Sequence, residues 1–399
     1  MTPVTQAVIV CVPDGGDPSR EVGGLSLIER LLRQLSELGS LQEILIVRGP
    51  RAGPAEPSCR VATPVRVVRV APGDPWTMLR AASGFLRERF LVIGADLLVD
   101  PRILSWLAAR TADTLVTANA REPELLGTVG RTILLEPPRS LASAAVVAIT
   151  DFPAYWKEQR GDVPVHLLRV TSDRDAEEGW RVLLDHVQKR TLDLPARYFD
   201  PTFENVLVRL LCRTRITPNQ VTAATGLLGF GVAGLFATGW LRVGVLLAIV
   251  VEVLDGVDGK LARIKRMTSK PGELEHVLDF FYENSWYVAL GFRLSTHGHP
   301  WAWGAALAMV AFDVTDNLAN IWVSRFRGRN LAEVSSFLRR FRRISGRRNI
   351  YAWIFLPGFL LGTPAFSFAA AVVWAGITAA VHVISAIVEP ELASSAARR

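Results

Sequence analysis

The chain has 399 residues, half of them hydrophobic, and 45 basic against 38 acidic side chains give a net charge of +7. That length holds two or three domains, and the apolar residues concentrate after Pro218, which implies a soluble N-terminal domain followed by a membrane domain. Cys11, Cys59 and Cys212 are too few and too scattered for a disulfide framework and point to a reducing compartment, while the lack of aromatic-basic interleaving or zinc spacing excludes nucleic acid as a partner.

The N-terminus opens Met-Thr-Pro-Val without a basic region and a long apolar core, so no signal peptide is expected. Ala7 to Val12 is a continuous apolar run bounded by Pro13-Asp-Gly-Gly16, the pattern of a buried strand. Leu27, Ile28, Leu31, Leu32 and Leu35 have helical spacing within 25–38. Glu43–Val47, Val65–Val70 and Phe90–Ile93 read as further strands, and Trp76–Arg89 as a helix. Strands alternating with helices predict an α/β domain with a mostly parallel sheet. Ligands bind such sheets beyond the strands' carboxyl ends, where Pro13–Arg20 and Gly94-Ala-Asp96 fall.

Gly23-Gly-Leu-Ser-Leu-Ile-Glu-Arg-Leu-Leu32 and Gly94-Ala-Asp96 resemble the helix and strand-end aspartate of sugar nucleotidyltransferases, in particular the cytidylyltransferase half of bifunctional inositol-phosphate enzymes. The resemblance implies a Rossmann-like nucleotidyltransferase-type domain over 1–195 with Asp96 as a metal ligand. The sequence departs from that family at the phosphate loop, here Asp14-Gly-Gly-Asp-Pro-Ser-Arg20, and has no lysine before Lys157. Thr171-Ser-Asp173 falls near where a second metal aspartate is expected. An active cytidylyltransferase and a non-catalytic relic both stand, with the departures favouring the relic.

Phe203 to Arg213 is amphipathic, with Phe203, Val206, Leu207, Leu210 and Leu211 on one face and Arg209, Arg213 and Arg215 as bases. It suits either a membrane interface or ordinary docking, and it falls in a juxtamembrane linker over 196–216. Thr217-Pro-Asn-Gln-Val-Thr222 is a helix start. Six spans are predicted, at about 219–239, 241–262, 277–296, 300–324, 349–363 and 365–388. They make 217–390 an all-α six-helix transmembrane domain, followed by a tail over 391–399. Lys260–Lys270 and Arg325–Arg348 are the basic loops, which places them, the N-terminal domain and both termini in the cytoplasm of a multi-pass inner (plasma) membrane protein.

The most informative stretch joins the second and third spans. Asp255 and Asp258 share a helical face, with Gly259 and Ala262 small beside them and Arg263 following. Glu275, Asp279 and Glu283 then recur at spacing four, stacking carboxylates on a second helix. Oxygen ligands from two helices suit Mg²⁺, which takes few carboxylates plus substrate phosphates. Ionisable residues beside spans are functional candidates.

This stretch resembles the CDP-alcohol phosphotransferase pattern D-x2-D-G-x2-A-R-x8-G-x3-D-x3-D. The match runs through Asp255, Asp258, Gly259, Ala262, Arg263 and Gly272, after which His276 and Phe280 stand where the last two acids are expected. A shift of one residue makes Glu275 and Asp279 the third and fourth acids; the rival register uses Asp279 and Glu283. The phrase from Thr217 to Thr222 also resembles that family's entry into its first span.

The resemblance implies transfer of a phosphoalcohol from a CDP-alcohol donor to the hydroxyl of a lipid or polyol-phosphate acceptor, with release of CMP. Asp255, Asp258, Glu275 and Asp279 would hold Mg²⁺ or Mn²⁺, Asp279 would act as general base, and Gly259, Ala262, Arg263, Gly272, Thr217 and Asn219 would bind nucleotide. Homodimers are the family's expectation. His276 reads as a packing residue, since Mg²⁺ prefers oxygen. The stripe Asp313, Asp316, Asn317 and Asn320 lines an acceptor cavity or hydrogen-bonds between helices. The loop Arg325–Arg348 attracts anionic lipid, or its Arg347 and Arg348 clamp an acceptor phosphate beside Asp316. Two rival functions are an ion-coupled transporter and a membrane-anchored nucleotide-binding scaffold.

Overall fold

Alternating side chains place a seven-stranded sheet at the centre of the N-terminal half. The structure, a computed structural model, describes residues 4–13, 15–50, 60–118, 124–134, 144–267, 272–328 and 330–396, without the side chains of 272–277 and 389–396. The chain divides into two units, Met1–Lys157 with Gly161–Gln188 and Ile264–Arg266, and Glu158–Arg160 with Lys189–Arg263 and Met267–Arg399.

In the first unit the chain order is β1 (Gln6–Cys11), α1 (Leu27–Glu37), β2 (Glu43–Arg48), β3 (Val65–Arg69), α2 (Pro75–Ala81), β4 (Arg89–Gly94), β5 (Leu97–Val99), α3 (Pro101–Ala108), β6 (Thr114–Thr117), β7 (Leu126–Gly130), β8 (Ala145–Ala148), β9 (Leu167–Arg169) and α4 (Asp173–Val187). The sheet order is β8-β6-β7-β4-β1-β2-β3. All its pairings are parallel except those of β7, which runs antiparallel to β4 and β6. Strand period two sends Ala7 and Ile9 to one face, packed with Leu31, Leu35 and Leu104 of α1 and α3. Val8 and Val10 face the other side, against Met78 and Leu79 of α2. The expected helix over 76–89 is shorter than its apolar pattern suggested. Asp74 caps it and Pro75 opens it, but it ends at Ala81, where Ser83-Gly84-Phe85 makes a tight turn into β4.

The second unit is helical among its described residues. Its main helices are α5 (Asp200–Cys212), α6 (Pro218–Thr238), α7 (Leu241–Lys265), α8 (Gly272–Ser295), α9 (Trp301–Arg327), α10 (Arg348–Leu360) and α11 (Pro364–Ala396). Thr217 caps α6 in a reciprocal box with Gln220, and Gly239 ends it in the left-handed conformation at φ 91°. Small residues let the helices approach closely. A Cβ on Gly229 would lie 2.7 Å from the Tyr282 ring, and one on Gly291 would lie 2.4 Å from the Ala306 methyl. Trp286 donates its indole N–H to the Gly229 carbonyl at 2.7 Å, so this aromatic core also fixes register. Among the described residues two helices, Pro218–Thr238 and Pro364–Val388, are long and apolar enough to cross a membrane.

Candidate active site in the helical unit

The sequence Asp255-Gly-Val-Asp258-Gly259 lies in the continuous helix α7, so its two acids sit one turn apart. Asp258 is buried, and its Oδ2 accepts a hydrogen bond from the Thr222 hydroxyl of α6 at 2.6 Å. Asp255 pairs with Nη2 of Arg348 at 2.7 Å, and Glu283 of α8 pairs with Nη1 of the same guanidinium at 3.0 Å. Arg348 therefore bridges the two acid-bearing helices from the first residue of α10. It also donates to the Tyr282 hydroxyl and lies over that ring, 5.3 Å from its centroid. Asp279, one turn before Glu283, acts electrostatically on both Glu283 and Arg348. Asp255, Asp279 and Glu283 thus share one neighbourhood. Glu275, His276 and Gly272 open α8, where side chains lie outside the described residues.

The small residues have two separate uses. A Cβ on Gly259 would first meet the Arg263 guanidinium at 3.3 Å, the far end of a flexible chain, so the helix backbone stays approachable there. A Cβ on Gly256 would lie 1.7 Å from Glu204 Oε1. Gly256 is the floor on which α5 docks, and Glu204 then reaches Lys260 at 2.6 Å. Thr217 spends its hydroxyl as the α6 cap, accepting from the Gln220 N–H at 3.3 Å. Asn219 and Ala262 stand in the first turn of α6 and the last turns of α7.

The polar stripe of α9 divides between two neighbours. Asp313 accepts from Asn284 of α8 at 3.0 Å, while Asp316 pairs with His382 of α11. Asp316 and Asn320 also line a polar pocket with Asn330, Arg342, Arg347 and His382. Arg347 and Arg348, adjacent in sequence, consequently face different work: Arg347 lines this pocket and Arg348 holds the acids.

Sequence reasoning missed three features of the site. They are the Thr222–Asp258 bond, the role of Arg348 across Asp255 and Glu283, and the seat that Gly256 makes for Glu204. Thr222 closes the T-P-N-x-x-T phrase, and Gly256 sits inside the acid motif, so both signals were present without their meaning.

In the first unit Asp96 stands just past the end of β4. Its Oδ2 accepts from the Gly16 N–H at 3.3 Å and lies 3.8 Å from Nε of Arg169. The loop is packed down, since a Cβ on Gly16 would lie 2.2 Å from the Val170 carbonyl oxygen. Asp173 opens α4 and pairs with Arg20 at 2.5 Å. Asp175 is held well below the usual carboxylate range by hydrogen bonds from Thr171 and Ser172.

Residues 215–388 match the profile of the CDP-alcohol phosphatidyltransferase family. A Bifunctional IPC transferase and DIPP synthase of Rubrobacter xylanophilus is 25% identical over 392 residues, covering 87% of this chain and 86% of the relative. Among solved structures, Mycobacterium tuberculosis phosphatidylinositol phosphate synthase (PgsA1) with CDP-DAG bound aligns at TM-score 0.39 and 16% identity, over 47% of this chain and 94% of that one. HddC from Yersinia pseudotuberculosis aligns at TM-score 0.32 and 13% identity, over 45% of this chain and 99% of that one. Residues 215–388 thus carry a CDP-alcohol phosphatidyltransferase domain, and the protein is a CDP-alcohol phosphotransferase.

Proposed function

We propose that this transferase moves the phosphoalcohol of a CDP-alcohol onto a hydroxyl of a phosphate-bearing polyol. The observation that carries the reading is the gathering of Asp255, Asp279 and Glu283 around Arg348, in the same helical unit as a polar pocket lined by Arg342 and Arg347. The first arrangement suits a nucleoside diphosphate, and the arginines suit an acceptor phosphate. The name of the Rubrobacter relative, which aligns over most of both chains, favours an inositol-phosphate acceptor over a lipid.

The acids offer only oxygen donors from two helices, which fits Mg²⁺ or Mn²⁺. Asp255 and Asp258 would hold the cation with Asp279 and either Glu275 or Glu283. When bound, the cation neutralises charge on the diphosphate as the anhydride bond breaks. Thr222 orients the Asp258 carboxylate, and Arg348 fixes that of Asp255. Gly259 and Ala262 give the cytidine diphosphate close access to α7, Arg263 positions phosphates, and Gly272, Thr217 and Asn219 complete the nucleotide end. Asp279 accepts the proton of the attacking hydroxyl. Asp316 and Arg347 belong to the acceptor pocket.

The same reading places α6 to α11 across the inner membrane as six spans, with the N-terminal domain, the basic loops and the acids on the cytoplasmic side and a homodimer as the assembly. Large apolar side chains on the bundle's outside support it: Leu227, Leu246, Phe281, Ile321 and Phe366 are all exposed. The helices α7 and α8 run unbroken through their acids, which favours a transferase over a transporter with discontinuous helices. A nucleotide-binding scaffold has no use for Arg348 spanning two acid-bearing helices.

The test is CMP release by the purified chain in detergent with Mg²⁺, from a panel of CDP-alcohols offered inositol phosphate or a lipid acceptor. Turnover with inositol phosphate is expected. Turnover with lipid acceptors alone would refute the acceptor assignment.

A further inference from the structure

We infer that Asp100, His166 and His186 of the first unit form a binding site for a borderline divalent transition cation of the Zn²⁺ class. Their ligand atoms all lie within 4.8 Å of one another, and all three residues are buried. Asp100 Oδ2 stands 3.4 Å from Nδ1 of His166 and 3.7 Å from Nδ1 of His186. Ligands about 2.0–2.1 Å from a tetrahedral zinc are about 3.4 Å apart, so two of the three edges are nearly at that spacing already. The third edge, between the two histidines, lies within 4.8 Å.

Neither ring nitrogen of either histidine has a hydrogen-bond partner, although the rings are only 7% and 5% exposed. Four orphaned imidazole nitrogens in one buried cluster are unusual, because buried polar atoms are normally paired. Burial keeps both rings neutral, pushing His166 down to about 4 and His186 down to about 3. Neutral imidazole is the form that ligates a metal, and two nitrogens with one oxygen favour zinc-like ions over Mg²⁺.

The supporting residues also suit a metal site. Arg102 grips Asp100 with Nε at 3.0 Å and Nη2 at 2.8 Å, fixing the carboxylate's orientation. That guanidinium also donates to the carbonyls of Val163 and Ala154, at 2.9 and 3.2 Å, so its charge is shared. It still sets a modest affinity, since a cation sits beside the only carboxylate. Trp156 covers His186, with ring centroids 4.4 Å apart. The ligands are placed by rigid elements. Asp100 caps α3, its N–H donates to the His166 carbonyl at 3.0 Å just before β9, and His186 lies in the last turn of α4. A bound ion would tie these three segments together.

The experiment uses full-length, tag-free protein in detergent, stripped with EDTA and titrated with Co²⁺ and then Zn²⁺. One equivalent of Co²⁺ should give the intense visible absorption of a low-coordinate, imidazole-ligated ion, and Zn²⁺ should displace it and raise the unfolding temperature. Both signals should be lost in His166→Gln and His186→Gln, and both should persist in Asp255→Asn/Asp258→Asn. Where the histidine variants do not fold, X-ray absorption of the zinc-loaded native chain decides, with two imidazole ligands expected. Absence of the intense band in the native chain, its survival in both histidine variants, its loss with the transferase acids, or a zinc shell without imidazole would each overturn the site.

Discussion

Replacing Arg348 by lysine tests the site at its least replaceable contact. The guanidinium spans two carboxylates with different nitrogens, at 2.7 Å to Asp255 and 3.0 Å to Glu283. A lysine ammonium keeps the charge but is a compact point donor and cannot reproduce the fork. One charge-assisted hydrogen bond of about 1.5–3 kcal/mol is therefore lost. If that bond holds the acids in their reactive arrangement, the loss amounts to roughly 10- to 150-fold in kcat/KM, at about 1.4 kcal/mol per decade. Alanine removes both bonds and strands two acids, and breaking a buried pair costs about 3–5 kcal/mol of stability. The assay is CMP release across a Mg²⁺ titration, paired with thermal unfolding. Arg348→Lys should fold and turn over slowly at saturating Mg²⁺, whereas Arg348→Ala should melt early. Native turnover by the lysine variant at saturating Mg²⁺ would refute the positioning role of Arg348 and weaken the assignment of Asp255 beside it.

Four other outcomes are expected. Asp255→Asn and Asp258→Asn should each abolish Mg²⁺-dependent CMP release while leaving the chain folded, and normal turnover in either would remove it from the metal set. Comparing Glu275→Gln with Glu283→Gln separates the two registers: the variant whose apparent Mg²⁺ affinity falls at least tenfold stands beside Asp279 in the acid set, and equal small effects would remove both from it. Acid should destabilise the first unit in EDTA, because His166 is neutral when folded and its imidazole drops from 6.5 to about 4. Stability is then unaffected above pH 6.5 and falls as pH decreases from 6.5 towards 4, by roughly 3 kcal/mol at 1.36 kcal/mol per unit; an acid limb unchanged in His166→Gln would contradict this. Finally, a fragment of residues 1–195 should release no pyrophosphate from labelled CTP and inositol phosphate, since Asp96 is engaged by Gly16 and Arg169 and Arg20 is paired with Asp173; turnover matching the intact chain would show an active cytidylyltransferase.

What could be read from the sequence was whatever depends on local spacing. The strands at Gln6–Cys11 and Glu43–Arg48 have unbroken apolar centres, Ala7–Val10 and Ile44–Val47, because a parallel central strand is buried on both faces. The acid motif was legible because Asp255, Asp258, Gly259, Ala262 and Arg263 are close neighbours on one helix. What was not legible depends on partners far apart in the chain. Nothing near Arg348 announces that it meets Asp255, 93 positions earlier by number, and its neighbour Arg347 has the same chemistry and a different place. Asp100, His166 and His186 carry no motif spacing either; β9 pairing with β5 brings the first two together. The antiparallel β7 escaped notice because Leu126–Gly130, with two glycines, lacks the β-branched density of its neighbours.

The helix α5 shows how a legible pattern leaves its own meaning undecided. Its apolar face was plain from Phe203, Val206 and Leu210, but amphipathicity alone does not say which face docks. In the structure those three side chains are 49%, 58% and 58% exposed, and Asp200, Glu204, Val208 and Cys212 are buried instead. Docking by the polar edge is costly: burial pushes the Asp200 carboxyl up to about 7 and raises that of Glu204 as well. Lys260 offsets part of this, reaching Glu204 at 2.6 Å and Asn205 at 2.9 Å over the gap left by Gly256. In water the opposite orientation would bury more apolar surface and be preferred. An arrangement that hides acids and shows phenylalanine and leucine makes physical sense where the outer face meets hydrocarbon, as in the proposed membrane placement. Gly256→Ala should then do double damage. The added methyl would collide with the Glu204 carboxylate, forcing it off Lys260 and loosening the α5–α7 contact at the residue next to Asp255, so both the docking of α5 and the acid-bearing turn of α7 depend on one missing side chain.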